Sequence, residues 1–222
     1  MYIEKYKGDI FIRNSIEDGC QFMGIHGAIE ILELKKLKIV SKSCDFSPHI
    51  NLQDHWGKTP LHSATKSGNL ENIKWCSKKY DFSFSVAHQD NRGMTPLHYA
   101  VWNEHLDFVK FLVNTYDLYY SINLQNIYGQ TPLHQAVIKN NLEMVQFLSN
   151  THDLSCSINI QDNRGKSPLH FAVKHNNLEM VKFLANNYDL SYSIKLQNIW
   201  RQTPLHLAVR KNNLEMVKLL IL

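Results

Sequence analysis

Five histidines recur along the chain at a constant spacing, and histidine is the side chain best suited to chemistry near neutral pH. They are His62, His98, His134, His170 and His206, each 36 residues after the one before. Imidazole nitrogens bind metals and exchange protons, so a histidine cluster could form a metal site or a general base. However, equivalent residues on packed helices lie roughly 8 to 10 Å apart, whereas metal ligands lie about 2 Å from the ion. We therefore expect a structural role for these histidines.

Other patterns that carry chemistry are missing from the sequence. The remaining histidines and the four cysteines lack metal-ligand spacing, and there is no G-x-S-x-G elbow, phosphate-binding loop or GxGxxG fingerprint. One aspartate per repeat is expected to be a turn or cap residue: Asp81, Asp117, Asp153 and Asp189. The sequence predicts no catalytic residue, no cofactor, no metal and no small-molecule substrate, and hence a protein that is not an enzyme.

The histidines lie inside longer blocks that repeat with the same period. The blocks GKTPLHSA, GMTPLHYA, GQTPLHQA, GKSPLHFA and RQTPLHLA each begin 36 residues after the last. Such self-similarity indicates a repeat array rather than a domain with one core. We predict five repeats within residues 50–222: 50–85, 86–121, 122–157, 158–193 and 194–222.

One repeat carries the signals of two short helices. Thr131 and Pro132 are typical of a helix start, and Leu133, Ala136 and Val137 then lie on one face. The first helix should end at a residue that tolerates positive φ, for which the glutamate is the least suited: Gly68, Glu104, Asn140, Asn176 and Asn212. A second amphipathic helix follows, so each repeat is expected to form an antiparallel helix pair.

The block Gly-x-Thr-Pro-Leu-His-x-Ala, followed by Asn-Leu-Glu-x-Val, resembles the ankyrin repeat. The resemblance implies an all-α fold with short β-hairpin fingers, an ankyrin-repeat solenoid of stacked antiparallel helix pairs. It also implies that the histidine hydrogen-bonds near its own helix start and ties one finger to the next. The period departs from the family's 33 residues, and the three extra residues fall in the connector between the second helix and the next finger.

Both ends of the chain differ from the clear repeats. Residues 1–49 are predicted to hold an N-terminal cap and a degenerate repeat, since Ile25, His26 and Ala28 lie 36 residues before Leu61, His62 and Ala64. Residues 14–49 would form that repeat, and residues 1–13 the tail of a further repeat or a capping helix. At the other end the apolar LLIL has no polar cap, which suggests truncation, a partner or a frayed end.

Positions that vary between repeats are where recognition would be encoded. One such position beside the finger glycine carries only Trp, Tyr or Arg, types enriched at binding hot spots. These five residues are named here the fingertip stripe: Trp56, Arg92, Tyr128, Arg164 and Trp200. By the ankyrin resemblance the first helix adds further groove residues: Trp102, Ile138, Lys174 and Arg210. The alternative is that stripe residues pack on neighbouring fingers through cation–π contacts.

The connector offers a second candidate surface in its aromatic residues. They either form an edge that recognises a partner or bury the extra loop: Phe82, Phe84, Tyr119, Tyr120 and Tyr192.

Composition narrows the class of function. A net charge of +4 and a pI near 8.8 are typical of an ordinary solvated surface, so nucleic-acid binding is not expected. No signal peptide or membrane span is recognised, which favours a cytoplasmic protein or one delivered to a host cytosol. We expect a scaffold or adaptor that binds a partner protein with an acidic surface and apolar anchors, monomeric unless the LLIL end pairs. The alternative is a targeting segment of a larger enzyme or of a secreted host-directed effector.

Overall fold

The fold is dominated by short helices in antiparallel pairs. A computed structural model describes residues 2–6, 9–13, 22–43, 45–152 and 154–221, in two compact units, residues 1–118 and 119–222. The first unit contains strands β1 (Tyr2–Tyr6), β2 (Asp9–Arg13) and β3 (Phe22–Met23), and helices α1 (Ile25–Ile31), α2 (Leu34–Ser43), α3 (Pro60–Ser67), α4 (Leu70–Cys76), α5 (Ser83–Val86), α6 (Pro96–Trp102) and α7 (Leu106–Thr115). The second contains helices α8 (Pro132–Ile138), α9 (Leu142–Thr151), α10 (Pro168–Lys174), α11 (Leu178–Asn187), α12 (Pro204–Arg210) and α13 (Leu214–Ile221), with 3₁₀ turns at Ser157–Asn159 and Ser193–Lys195.

The N-terminal segment is a small antiparallel sheet in the order β1-β2-β3. Tyr2 pairs with Arg13, and Ile12 pairs with Met23. The predicted capping helix is therefore wrong for residues 2–6 and 9–13. The segments YIEKY and DIFIR are rich in isoleucine and aromatic residues, which favour strands, and each is too short to form a stable helix.

Each first helix begins at the Thr-Pro or Ser-Pro pair, as the sequence predicts. Thr131 is the N-cap of α8, and its hydroxyl accepts a hydrogen bond from the backbone N–H of His134 at 3.3 Å. In α9 the Asn141 Oδ1 accepts from the N–H of Met144 at 2.9 Å. These bonds satisfy donors that a helix start otherwise leaves unpaired.

The residues predicted to end the first helices all have positive φ. The values are 61° for Glu104, 58° for Asn140, 57° for Asn176, 53° for Asn212 and 77° for Gly68. Glu104 adopts the left-handed conformation despite its side chain, because its helix must turn at the same point as its equivalents.

First helices stack on first helices within each unit. Helix α3 packs between α1 and α6 in the first unit, and α10 packs between α8 and α12 in the second. The recurring alanine of TPLHxA is buried in every repeat, which lets neighbouring helices approach closely: Ala64, Ala100, Ala136, Ala172 and Ala208. The predicted all-α class of stacked antiparallel helix pairs is confirmed.

The fingers between repeats are tight turns. In the first, the N–H of Asp54 donates to the carbonyl of Lys58 at 2.8 Å, and the Asp54 Oδ1 accepts from the N–H groups of Trp56 and Lys58. The aspartate or asparagine at this position thus orders the turn from inside. Residues 50–59 contain turns and no strand. This finger therefore differs from the predicted β-hairpin: it is a turn closed by the Asp54–Lys58 hydrogen bond.

Two constraints favour glycine in the fingers: a positive φ and the close approach of the next finger. One substitution tests both. Gly129 has φ +75°, and a Cβ there would lie 2.6 Å from the backbone nitrogen of Asn163 in the next finger. We expect Gly129→Ala to lower the free energy of unfolding by about 2 kcal/mol, from left-handed strain plus displacement of the neighbouring finger. Urea unfolding monitored by circular dichroism measures this change.

The matched control for that prediction is Arg201, which occupies the equivalent position with φ 59°. No finger of another repeat lies against it in the part of the chain that the structure describes. Arg201→Ala keeps a non-glycine residue in the same conformation, so its effect should stay within about 0.5 kcal/mol. Equal losses for the two variants would show that neither left-handed strain nor the approach of the next finger contributes.

Candidate functional site

The recurring histidines bridge consecutive repeats. His134 is fully buried, and its Nε2 lies 3.1 Å from the carbonyl oxygen of Lys166, 32 residues ahead. His62 makes the same contact with Met94, and His170 with Gln202, both at 3.1 Å. The structural role predicted for these histidines is confirmed, and the bridge is the one that the ankyrin resemblance implies.

The degenerate N-terminal region uses the same bridge. His26 Nε2 lies 2.9 Å from the carbonyl oxygen of Lys58, again 32 residues ahead. Helices α1 and α2 supply the corresponding helix pair. These contacts support the proposal that residues 14–49 hold a first repeat, although residues 14–21 lie outside the described part of the chain.

Hydrogen bonding determines which nitrogen of the bridging histidine carries its proton. The backbone N–H of Thr131 donates to the Nδ1 of His134 at 3.2 Å. Since Nδ1 is an acceptor, the hydrogen of the neutral ring resides on Nε2 and is donated to Lys166. Burial lowers the pKa of His62 and of His134 from 6.5 to about 4. The bridge is therefore a neutral, structural device at physiological pH.

The connector aspartates order local turns, as predicted. The Asp81 carboxylate accepts from the N–H and hydroxyl of Ser83, and Asp189 accepts from those of Ser191. The bonds to Ser83 and Ser191 lower the pKa of each carboxyl. Asp153 lies outside the described residues.

The connectors also join the end of a repeat to its beginning through buried serines. The Ser85 hydroxyl donates to the Asn51 Oδ1, and Ser193 donates to Asn159 in the same way. Both serines are fully buried. A buried hydroxyl is costly unless it is paired, so the longer connector adds a hydrogen bond between the two ends of one repeat that the sequence alone did not reveal.

The connector aromatics divide between the two predicted roles. Phe82 is fully buried and anchors its loop, whereas Phe84 stacks on His88 and remains 65% exposed. Three tyrosines are also more than half exposed: Tyr119, Tyr120 and Tyr192.

The fingertip stripe is exposed on ordered turns. Trp56, Tyr128 and Trp200 are 57%, 62% and 55% exposed, and Arg92 and Arg164 are exposed as well. Adjacent fingers within a unit are hydrogen-bonded through stripe backbone: the carbonyl of Trp56 accepts from Asn91, that of Tyr128 from Asn163, and that of Arg164 from Ile199. A hydrogen-bonded backbone thus presents exposed aromatic side chains to solvent.

Lysines rather than arginines contact the stripe aromatics. The Nζ of Lys58 lies 5.8 Å from the ring centroid of Trp56, and that of Lys166 lies 5.3 Å from that of Trp200. In the described part of the chain the cation–π partners seen for stripe rings are lysines, one of them from the neighbouring finger, and Arg–aromatic packing between fingers stays an alternative prediction. Lys58 reaches Trp56 within its own finger, whereas Lys166 reaches Trp200 from the preceding finger.

The first-helix positions are less uniform. Trp102 is 41% exposed, Ile138 is half-buried, and Lys174 and Arg210 are exposed. Lys174 and Arg210 line one cavity with Trp200 in the second unit. Trp102 and Ile138 are not among the residues that line it.

These features define a class of protein: a repeat protein in which stacked helix pairs are joined by finger-like turns. A family model described as Ankyrin repeats (3 copies) matches residues 25–126 and 116–198, and a model described as Ankyrin repeat matches residues 200–222. The chain belongs to the ankyrin repeat family. Among curated proteins, no sequence matches it at a significant level.

Ankyrin repeats are generally protein–protein interaction modules and are typically non-catalytic. Within the described residues no helix is both long and apolar enough to cross a bilayer.

Proposed function

We propose that this protein is a non-enzymatic scaffold or adaptor that binds a partner protein through the fingertip stripe and the exposed faces of its first helices. The observation that carries the proposal is the exposure of Trp56, Tyr128 and Trp200 on hydrogen-bonded fingers. Large aromatic side chains left in water on rigid backbone lose little conformational entropy when a partner covers them.

The chemistry of the stripe indicates what kind of partner it fits. Its charged members, Arg92 and Arg164, are both cationic, and the first helices add Lys174 and Arg210. A partner with an acidic surface and apolar anchors matches this combination of charge and aromatic area. The same proposal places the protein in the cytoplasm, or in a host cytosol after delivery.

Replacement of the five stripe residues by alanine tests the proposal. We expect the variant to lose at least about tenfold in retention of partner proteins in a quantitative pull-down from cytosolic extract, because hot-spot aromatic and arginine contacts are removed together. Retained proteins are identified and quantified by mass spectrometry for wild type and variant side by side. Circular dichroism must first show equal helicity, since all five side chains are exposed.

A control variant replaces Phe84, Tyr119, Tyr120 and Tyr192 by alanine. It removes a similar exposed aromatic area from the connectors and leaves the fingers intact. Partners lost from the connector variant and kept by the stripe variant would place recognition on the connectors and overturn the proposal.

A further inference from the structure

A cavity of about 390 Å³ lies beside the last finger of the second unit. Three cationic side chains line it, those of Lys166, Lys174 and Arg210. The ring of Trp200 and the side chain of Leu207 provide apolar wall. The volume falls at the lower end of the range typical of ligand pockets, so it suits a few side chains of a peptide rather than a folded surface.

The cavity's cations are only partly neutralised from within the protein. In the part of the chain that the structure describes, none of the three forms an ion pair with a carboxylate. The charge of Asp162 raises the pKa of Lys166, but its Oδ1 accepts from the backbone N–H groups of Arg164 and Lys166, at 2.9 and 2.8 Å, rather than from the ammonium group. Burial, and then the charge of Lys174, lowers the pKa of Lys166. Positive charge is therefore concentrated here at an electrostatic cost that an anion would relieve.

The ammonium group of Lys166 is held in place by two rings. Its Nζ lies 5.4 Å from the centroid of Phe171 and 5.3 Å from that of Trp200. Cation–π contacts of this length fix a side chain that would otherwise lose rotamer freedom on binding. The group is thus positioned before a ligand arrives.

Side-chain amides complete the wall. The Asn198 Oδ1 accepts from the N–H groups of Trp200 and Gln202, and its Nδ2 donates to the Gln202 Oε1 at 3.3 Å. Among the described residues the amide nitrogen of Gln202 has no acceptor. It offers the cavity a neutral donor in addition to the three cations.

The first unit also has a lysine over two rings, but in a different arrangement. Lys58 lies over Trp56 of its own finger and Tyr99 of the next repeat, whereas Lys166 lies over Phe171 of its own repeat and Trp200 of the next finger. The position equivalent to Arg210, 108 residues earlier, is Trp102. A lysine held by two rings therefore occurs in both units, whereas the third cation is particular to the second unit.

We propose that this cavity binds an acidic peptide segment of the partner, with two neighbouring carboxylate side chains against Lys166, Lys174 and Arg210 and an aromatic side chain against Trp200. The inference rests on the proposed function and narrows it to one ligand chemistry at one place. Two carboxylates match the charge better than one, and the guanidinium of Arg210 can hold one of them with two parallel hydrogen bonds.

Titration of the full chain with short peptides tests this assignment. The probe is the blocked pentapeptide Gly-Glu-Glu-Phe-Gly, and the readout is the indole N–H resonance of Trp200, identified among the four tryptophans through Trp200→Phe. We expect a saturable shift with the glutamate peptide and binding weaker by about tenfold or more for Gly-Gln-Gln-Phe-Gly, because charge is the main attraction. Equal binding of the two peptides would overturn the proposal.

Matched charge variants localise the effect. Lys166→Gln, Lys174→Gln and Arg210→Gln together should weaken the glutamate peptide by about tenfold, whereas Lys195→Gln, Lys211→Gln and Lys218→Gln together should change it by less than about twofold. The second set removes the same charge, three cations, from the last repeat without touching the cavity. Similar losses in both sets, or tighter binding of Gly-pSer-Gly-Phe-Gly than of the glutamate peptide, would contradict the assignment.

The two proposals fail separately. If stripe replacement abolishes partner retention but the peptides do not discriminate glutamate from glutamine, the acidic-segment assignment is wrong and the scaffold function stands. If the cavity selects the glutamate peptide but the stripe variant retains every partner, the fingertip groove is wrong as the partner-binding surface.

Discussion

Replacing His134 by alanine is expected to lower the free energy of unfolding by about 3 kcal/mol. The substitution removes the acceptor of the Thr131 N–H, which is then buried without a partner, and one of the two donors to the Lys166 carbonyl, which keeps only the N–H of Asp162. It also removes a ring that packs edge-on against Phe171, with 6.2 Å between centroids. Urea unfolding monitored by circular dichroism gives the change directly.

His206 is the matched control within the same chain. It keeps the local contacts to Thr203, with the Nδ1 lying 3.2 Å from the backbone nitrogen, but it is exposed. Its Nε2 meets no carbonyl among the described residues, so His206→Ala should cost only the helix cap, about 1 kcal/mol. Losses of equal size at His134 and His206 would show that the bridge to the next repeat contributes nothing.

Mild acid is expected to destabilise the protein before its carboxylates titrate. The pKa values of His62 and His134 are lowered by burial to about 4, below the unfolded value of 6.5. The folded state therefore binds fewer protons than the unfolded state between these values, and stability falls as the pH is lowered from about 6.5 to about 4. These two groups alone should remove about 4 kcal/mol between pH 7 and pH 5. Burial also lowers the pKa of His170, which adds to the loss in the same direction.

Urea titrations at pH 7 and pH 5 measure this loss. Asp81 and Asp189 also have lowered pKa values, but these lie below 3.8, so their contribution is lost at more acidic pH and does not confuse the comparison. In His134→Gln the drop between the two pH values should shrink by about 2 kcal/mol, because one of the titrating histidines is gone. A wild-type stability that stays constant from pH 7 to pH 5 would contradict the neutral-bridge account.

The repeat pattern predicted most of the fold because its information is local. Helix starts at Thr-Pro, helix ends at Gly or Asn, and buried alanines depend on residues a few positions apart, and the structure confirms them. Even Glu104, the least suitable residue for its position, follows the period. The N-terminal strands do not follow the 36-residue repeat, and only the β-favouring composition of segments such as DIFIR indicates them.

The candidate site was less predictable because it depends on how side chains from different repeats meet. Sequence variation between repeats identified the stripe positions. Lys58 and Lys166 were missed as partners of the aromatic rings, since only the path of the finger brings their ammonium groups over Trp56 and Trp200. The convergence of Lys174 and Arg210 on one cavity likewise requires the packing of α10 on α12.

The histidine bridge has a consequence for how such a gene can change. The histidine pairs with a carbonyl 32 residues ahead, and the connector serine pairs with an asparagine 34 residues behind. Both offsets survive when a whole 36-residue block is copied or removed within a run of repeats, because each new neighbour presents the same partners. An insertion of another length between the two partners would change these offsets. Unequal recombination in steps of one repeat is therefore the change in length that the protein tolerates best.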